Sequence, residues 1–360
     1  MSHFSFSKKP ALFATPAGLP GPGPYYTCLV PMSGVESFPF DYALYYSPDH
    51  DPGAGGIWLS LCNGDPSDSA NWISYDEALA AGHFDHLLEK PAQNPIFLDC
   101  VQGDGHTETP HVNIIAGTAY MTYHKDGLEG TQRTLLAIAP DGVNFARING
   151  DADSVILRDA PEDVGNGHTG YFRWGVNPFP GIEEAYVGYS LHGGGDEYHS
   201  AIWASDNAVV WQRLDILTPI EGFAVDREDL ILIWHELDPA SVRPLGNGEF
   251  AALCGVGNRA SGSSARITEL YEIFLAADGR TLTRESRKIL GVGSEESPDA
   301  EELASPSSLL IDGIIHLVYV GAAAQGSENT VLGATGRFDA SAKPSLLLDE
   351  SQRRRHIYCG

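Results

Sequence analysis

The chain reads TPHVNIIAGTAYMTYH from Thr109 to His124, and this pair of apolar runs around a tight turn decides the fold. The first run ends at Ile115, the pair Ala116-Gly117 supplies the turn, and the second run is rich in tyrosine and small residues. Glycine adopts the positive φ angles that tight β-hairpins need. The stretch therefore predicts two adjacent antiparallel strands.

The same pattern returns five times along the 360 residues, in looser form at the N-terminal end. The starts of the five copies are marked by Pro31, Pro110, Tyr171, Pro239 and Pro306. Successive markers are 79, 61, 68 and 67 residues apart. One supersecondary unit repeated at this period is typical of propeller blades, which need roughly 40 to 70 residues each.

A second set of turns repeats with the same period. Asp141-Gly142, Asp206-Asn207 and Asp278-Gly279 lie 65 and 72 residues apart, and each has the composition of a hairpin turn. We predict that each joins the third and fourth strands of a blade. The alternative is a β-sandwich with evenly spaced strands, whose core is usually smaller than this chain would fill.

The predicted fold class is therefore all-β: a five-bladed β-propeller with four-stranded antiparallel blades around a central funnel. The whole chain, 1–360, forms one domain, and a short helix over Asp76–Ala81 connects two blades. Segments 10–24 and 343–360 lie outside the repeat and are expected to wrap the ring. The predicted blades cover residues 25–85, 95–150, 160–216, 228–290 and 298–340.

Composition excludes some partners. With 22 Lys and Arg against 48 Asp and Glu, the net charge of −26 argues against nucleic acid and anionic membrane surfaces, which require basic footprints. Neutral carbohydrate is compatible with this charge, which otherwise serves solubility. The start of the chain lacks the features of a signal peptide, so we expect a cytoplasmic protein, or a secreted one if the chain is already processed.

Chemistry is expected where the inner strands begin, because these starts converge on one funnel. Acidic, imidazole, guanidinium and aromatic side chains collect there. The acids are Glu108, Glu236, Asp238 and Glu302, and the other candidates are His106, His111, His168, Tyr171, Arg173, Trp174, Trp234 and His235.

Two of these starts resemble motifs of known enzymes. Glu108-Thr109-Pro110-His111-Val112 is similar to the "ExPHφ" element, and Asp238-Pro239-Ala240-Ser241-Val242 to the "DPxφ" element, of the five-bladed propeller glycoside hydrolases of the arabinanase, xylosidase and fructosidase type. The resemblance covers about residues 25–340. It implies sugar hydrolysis by a pair of carboxylates, with a third tuning the pKa of the acid.

Glycosidic cleavage needs one protonated carboxyl group and one ionised carboxylate. In this interpretation Glu108 is the acid, oriented by His106, and Asp238 is the base or nucleophile, with Glu236 as its competitor. The substrate is a furanoside or related neutral oligosaccharide. Three aromatic residues, Tyr171, Trp174 and Trp234, would stack on sugar faces; Arg173 would hold hydroxyls, and the remaining candidates would bind substrate.

The first blade departs from the family pattern. Its start reads Cys28-Leu29-Val30-Pro31-Met32-Ser33, without the aspartate that the resemblance leads one to expect. This leaves three readings: a changed mechanism, a rotated assignment of the active site, or lost activity.

The histidines support an alternative chemistry. His106, His111, His168, His192 and His199 fall near predicted loops of the second and third blades, and imidazoles with carboxylates are usable metal ligands. No metal-binding signature is present, so no cofactor is expected, with a divalent metal near these histidines as the alternative. A polysaccharide lyase or metal-assisted carbohydrate enzyme using His and Tyr, and a non-catalytic carbohydrate-binding propeller, are the alternative functions.

Overall fold

The computed structural model describes residues 3–13, 15–48, 55–99, 106–128, 131–148, 156–157, 169–192, 199–224, 227–258, 267–323 and 328–341. Within these ranges the chain forms five antiparallel sheets, and its one α-helix is α1 (Tyr75–Ala80). No helix in these ranges has the length and hydropathy needed to cross a bilayer. The prediction of an all-β five-bladed propeller is confirmed.

Each sheet is one blade, numbered here in chain order. Blade I contains β2 (Pro24–Pro31), β3 (Tyr42–Pro48), β4 (Trp58–Cys62) and β5 (Trp72–Ser74). Blade II contains β6 (Thr107–Ile115), β7 (Thr118–Leu128), β8 (Thr131–Ala139) and β9 (Ala146–Arg147). Blade III contains β10 (Thr169–Val176), β11 (Tyr186–His192), β12 (His199–Ser205) and β13 (Gln212–Leu217).

The last two blades differ slightly from this plan. Blade IV has five strands, because the two-residue β14 (Ile220–Glu221) precedes β15 (Leu230–Pro244), β16 (Phe250–Asn258), β17 (Ile267–Leu275) and β18 (Arg287–Gly291). Blade V takes three strands from the C-terminal part, β19 (Glu302–Ile311), β20 (Ile314–Ala322) and β21 (Asn329–Phe338). Its fourth, outermost strand is β1 (Phe4–Ala11), so strands from the two ends of the described chain close the ring.

The inner strands β2, β6, β10, β15 and β19 each contact the next, and β19 contacts β2. Five apolar clusters fill the wedges between neighbouring blades. Tyr45 of blade I and Tyr123 of blade II share one cluster, and Leu44 of blade I and Val318 of blade V share the cluster that completes the circle. Burial of apolar surface on both faces of each blade thus holds the sheets around one axis.

The predicted turns are confirmed. Asp141-Gly142 lies between β8 and β9, Asp206-Asn207 between β12 and β13, and Asp278-Gly279 between β17 and β18. The predicted helix is confirmed as α1, which begins with a capping box in which Ser74 and Glu77 exchange hydrogen bonds.

A β-bulge near the start of each inner strand was not predicted. In four blades the bulge contains a non-glycine residue with positive φ: Tyr26, Thr109, Tyr171 and Ser305, with φ between 51° and 53°. Bulges redirect side chains and are frequent next to active sites. The bulges also show that Pro31 is not equivalent to the other four strand-start markers. It lies five residues past Tyr26, at the end of β2, where no bulge occurs.

Candidate functional site

The inner strands contribute two groups of polar side chains near the ring axis. One group, called the floor here, consists of Arg173, Glu236, Asp238 and Ser308. The other, called the rim, consists of two tyrosine contacts and a histidine–glutamate cluster. The floor residues come from three blades, whereas the histidine–glutamate cluster comes from blade II alone.

Arg173 is the cation of the floor. Its Nη2 donates to Oε2 of Glu236 at 3.1 Å, and its Nη1 donates to the Pro306 carbonyl at 2.6 Å. The backbone N–H of Ser305 donates to the same Glu236 oxygen at 3.1 Å. Strands of blades III, IV and V therefore meet at one carboxylate. Among the described residues, no hydrogen bond to the other oxygen, Oε1, is present.

Asp238 lies next to this pair, and both of its carboxyl oxygens are engaged. Ser308 donates its hydroxyl to Oδ2 at 2.5 Å, and the Ala240 N–H donates to Oδ1 at 3.1 Å. Burial raises the pKa of Asp238 to about 6, against the lowering effects of Ser308 and Arg173. Burial also raises the pKa of Glu236, which Arg173 and the Ser305 N–H counteract. Two buried acids thus share one nearby guanidinium, and this favours retention of a proton.

Two histidines beside Arg173 are neutral. Removal from bulk water, together with the positive charge of Arg173, lowers the pKa of both His111 and His235 to about 3. The ring of His111 donates from Nε2 to the Trp174 carbonyl at 2.8 Å, so this side chain joins blades II and III. His235 lies closer to the rim, with Nδ1 3.2 Å from the Ser200 hydroxyl and its ring 5.7 Å from that of Tyr171.

Tyrosines form much of the rim. The Tyr26 hydroxyl donates to the Tyr171 hydroxyl at 3.2 Å, which links the bulges of blades I and III across the funnel. Tyr25 donates to Oε1 of Glu302 at 2.6 Å and links blades I and V. Glu302 is half-buried, whereas Glu108, Glu236 and Asp238 are at most 4% exposed.

The rim of blade II carries the histidine–glutamate cluster, formed by His106, Glu108 and His124. Oε1 of Glu108 lies 3.1 Å from Nε2 of His106 and 3.2 Å from Nδ1 of His124. The ring of His124 lies 5.7 Å from that of Tyr171, which in turn lies beside His235. A line of neighbouring side chains therefore runs from Glu108 through His124 and Tyr171 to His235.

The local sequence explains the geometry of this cluster. His106 and Glu108 are two residues apart, so an extended chain points them to the same face. Glu108 pairs with His124 across the β6–β7 hairpin, which brings the second imidazole to that face. Gly55 packs against the start of β6, where an added Cβ would lie 2.7 Å from the Thr107 nitrogen; only glycine permits this approach.

Two sequence-based assignments are wrong. Trp174 and Trp234 were expected to stack on sugar rings, but they are 1% and 2% exposed. The indole of Trp174 donates to the Thr122 hydroxyl, and that of Trp234 donates to the Thr218 carbonyl. Both rings belong to interblade cores, because their strand positions face a neighbouring blade. Arg173 is also buried, as a counter-ion to Glu236. His168 lies outside the described residues.

Sequence reasoning missed four residues of the site: Tyr25, Tyr26, His124 and Ser308. The marker Pro31 drew attention to the wrong end of β2, away from the two tyrosines. His124 could have been found by pairing the two runs around the Ala116-Gly117 turn, which places it opposite Glu108. No local pattern distinguishes Ser308 from the other serines of its strand.

No protein-family model and no curated protein matches the sequence. Solved structures do match over nearly the full length. One of them has 14% identity to this chain, a match that covers 91% of this chain and 94% of the other, and a TM-score of 0.55. It is described under the family-130 mannoside phosphorylases, a family that contains glycoside hydrolases that target β-1,2 mannosidic linkages in Candida mannan.

Two further structures are similar. The catalytic domain of the Coprinopsis cinerea family-62 α-L-arabinofuranosidase has 12% identity, coverage of 94% of this chain and 98% of its own, and a TM-score of 0.52. A thermostable family-43 glycoside hydrolase has 11% identity, coverage of 89% and 95%, and a TM-score of 0.53. The chain shares the five-bladed fold of these glycoside hydrolases. At such identities the likeness concerns the fold, and activity must be argued from the site.

Proposed function

We propose that the protein is a glycoside hydrolase that binds a furanoside or related neutral oligosaccharide at the rim and cleaves it above the floor. The observation that carries this proposal is Glu236. Its Oε2 is fixed by Arg173 and the Ser305 N–H, while its Oε1 has no donor among the described residues. A carboxyl group held in this way is oriented, and in its ionised form it can act on a sugar or a water molecule.

In the proposed reaction, Glu236 attacks the anomeric carbon or takes a proton from the attacking water. Glu302 gives its proton to the leaving oxygen, because it is the most exposed of the four acids and so the most accessible to a bound substrate. Asp238, hydrogen-bonded through both oxygens, acts as the third carboxyl group that sets the charge of the floor. The bond to the leaving oxygen breaks as this oxygen accepts the proton.

The rim favours a neutral substrate. The half-buried Tyr25 and Tyr171 offer aromatic rings and hydroxyls that suit sugars, which combine apolar faces with hydroxyl groups. Arg173, the cation of the floor, is committed to Glu236 and the Pro306 carbonyl. The net charge of −26 also repels anionic polymers.

The two carboxylate roles are tested with aryl glycosides of different leaving-group acidity. A panel of furanosides and pyranosides identifies the sugar, and Glu236→Gln and Glu302→Gln are then compared on a dinitrophenyl and a methoxyphenyl derivative. Glu236→Gln should lower kcat about 1,000-fold or more on both. Glu302→Gln should lower kcat about 100- to 10,000-fold with the poor leaving group and far less with the activated one, which needs no proton.

Glu301→Gln is the matched control, because Glu301 is the exposed sequence neighbour of Glu302. Its kcat should stay within about twofold of wild type. Release of sugar by Glu236→Gln at the wild-type rate would refute the assignment of Glu236. A wild-type protein that binds sugars without releasing any would refute the hydrolase proposal in favour of a binding propeller.

A lyase is the second candidate, and one observation favours it. Tyr171 lies between His124 and His235, and it accepts a hydrogen bond from Tyr26. β-elimination from a uronate requires a base and an acid, and an imidazole beside a tyrosine hydroxyl provides groups of both kinds. Appearance of the ultraviolet absorbance of an unsaturated uronate, without release of sugar from aryl glycosides, would support this reading.

A further inference from the structure

The histidine–glutamate cluster of blade II has the composition of a metal site. His106, Glu108 and His124 each direct one ligand atom to a common region, and these atoms all lie within 4.8 Å of one another. All three residues are buried, with exposures of 8%, 1% and 0%. Imidazole nitrogens that converge with a carboxylate oxygen are a common ligand set for transition-metal ions.

We propose that this cluster binds one divalent transition-metal ion, with Zn²⁺ preferred. Two imidazoles and one carboxylate form a ligand set that suits Zn²⁺, whereas Ca²⁺ and Mg²⁺ require mostly oxygen ligands. The proposal concerns binding and does not rest on the hydrolase assignment.

Two of the three separations between ligand atoms fit a small tetrahedral ion. Ligand bonds of about 2.0–2.1 Å at tetrahedral angles place neighbouring ligand atoms about 3.3 Å apart. The glutamate oxygen lies 3.1 Å from one ring nitrogen and 3.2 Å from the other. A small change of side-chain torsions would admit the ion without movement of the strands.

The fold supplies the rigidity that such a site needs. The three ligands come from one hairpin, with Glu108 and His124 in direct register. Residues 55–56 hold the strand start in place, since the Gly56 N–H donates to the Thr107 carbonyl at 2.6 Å. Sites built on strands hold ligand geometry better than sites built on loops.

Three protein ligands leave at least one coordination position for water or a substrate oxygen. Tyr171 lies beside His124, so that position would be close to the rim of the funnel. The proposed ion would therefore bind a hydroxyl or carboxylate of the bound ligand. In this arrangement Glu108 is a metal ligand rather than the general acid that its sequence motif suggested.

The test measures metal directly on the full chain. Protein stripped with EDTA is titrated calorimetrically with Zn²⁺, and its metal content is determined by mass spectrometry after dialysis. Co²⁺ serves as a spectroscopic probe, because a four-coordinate Co²⁺ site gives intense visible bands. We expect one equivalent of metal per chain, displacement of Co²⁺ by Zn²⁺, and a higher Tm in the presence of either ion.

Three variants locate the ion. His106→Gln and Glu108→Gln should each lower the affinity at least about 100-fold and abolish the visible Co²⁺ bands. His316→Asn is the matched control, because His316 is a buried histidine 3.3 Å from a carboxylate, Asp65, without a second imidazole. It should bind metal like wild type.

Two results would overturn the proposal: wild-type protein that binds less than about 0.1 equivalent of Zn²⁺, or binding that both ligand variants retain. Because the first result needs no variant, a folding defect in Glu108→Gln cannot conceal the answer. Glycosidase assays are run separately, so failure of metal binding and failure of the proposed activity are distinguishable.

Discussion

At the scale of single residues, the floor of the funnel depends on one cation. Arg173 reaches Glu236 and the Pro306 carbonyl, and its charge also affects Asp238, His111 and His235. A buried ion pair that loses its cation leaves an uncompensated carboxylate, which costs about 3–5 kcal/mol. Arg173 therefore connects the stability of the ring centre with the charge state of the site.

Asp238 gives the stability of the protein a specific pH dependence. Its pKa is about 6 in the folded protein, above its ordinary value of 3.8, so the folded state binds this proton more tightly than the unfolded chain. The free energy of unfolding should therefore fall as pH rises from about 4 through about 6, and this contribution levels off above that. Asp238→Asn should lack it, so wild type should lose on the order of 1–3 kcal/mol relative to the variant across this window.

Urea unfolding at pH 4.5, 6 and 7.5 measures this difference. Asparagine can keep both hydrogen bonds, since its oxygen accepts from the Ala240 N–H and its amide donates to the Ser308 hydroxyl. Ser308→Ala is the comparison that removes one hydrogen bond without removing the acid. Parallel pH profiles for wild type and Asp238→Asn would show that Asp238 does not titrate in this range.

Sequence predicted those parts of the site that depend on short spacings. His106 and Glu108 are two residues apart and are in contact, and Glu236 and Asp238, also two residues apart, both interact with Arg173. The contact between Tyr26 and Tyr171 spans 145 residues, and it depends on bulges that no composition rule marks. Trp174 and Trp234 were misassigned because alternation along a strand does not tell whether a face meets the funnel or the next blade.

At the scale of elements, the repeat was predictable because turns and apolar runs are local. The three Asp-Gly and Asp-Asn turns occur where predicted, between third and fourth strands. The pairing of β1 with β21 was not predictable, since it joins Ser5 with Arg337 across the whole chain. Such pairing is decided by closure of the ring, and the sequence of a strand does not specify which distant strand it pairs with.

Close packing within blade III depends on a missing side chain at Gly188. This residue lies on β11 opposite Trp174 and Trp203. A Cβ here would lie 2.4 Å from Cε2 of Phe172 and 2.8 Å from the Cβ of Trp174. Gly188→Ala should therefore destabilise the protein by about 1–3 kcal/mol through overpacking.

Gly175→Ala is the matched control for chemical denaturation. Gly175 lies on the neighbouring strand β10, and a Cβ there would meet the Cβ of Pro239 at 3.5 Å, an ordinary contact. The free energy of unfolding of Gly175→Ala should stay within about 0.5 kcal/mol of that of wild type. Equal midpoints for the two variants would mean that Phe172 moves aside without cost.

At the scale of the whole molecule, closure of the ring depends on the segment before β1. The His3 N–H donates to both oxygens of Glu272, at 3.0 and 3.2 Å, and the ring Nδ1 lies 3.0 Å from Oε1. Glu272 lies on β17 of blade IV, whereas β1 pairs with β21 of blade V. The His3 carbonyl accepts from the Asp339 N–H, just after β21. His3 therefore connects blade V to blade IV through hydrogen bonds.

Loss of the His3–Glu272 contact should cost more than loss of a histidine–carboxylate contact whose carboxylate is exposed. His3→Ala leaves the fully buried Glu272 without its imidazole, so we expect a loss of about 3 kcal/mol in the free energy of unfolding. His316→Ala is the comparison, because the side chain of its partner Asp65 is 57% exposed and can be hydrated, and the expected loss is below about 1 kcal/mol.

The site of the effect distinguishes closure from general destabilisation. Hydrogen exchange in His3→Ala should accelerate first at the β1 amides paired with β21, while amides of β7 and β8 in blade II should keep their wild-type protection. The double variant His3→Ala, Glu272→Gln should recover part of the loss, because the buried charge is then absent. Uniform acceleration over all blades would mean that the ring opens as one unit and that His3 contributes only its local contacts.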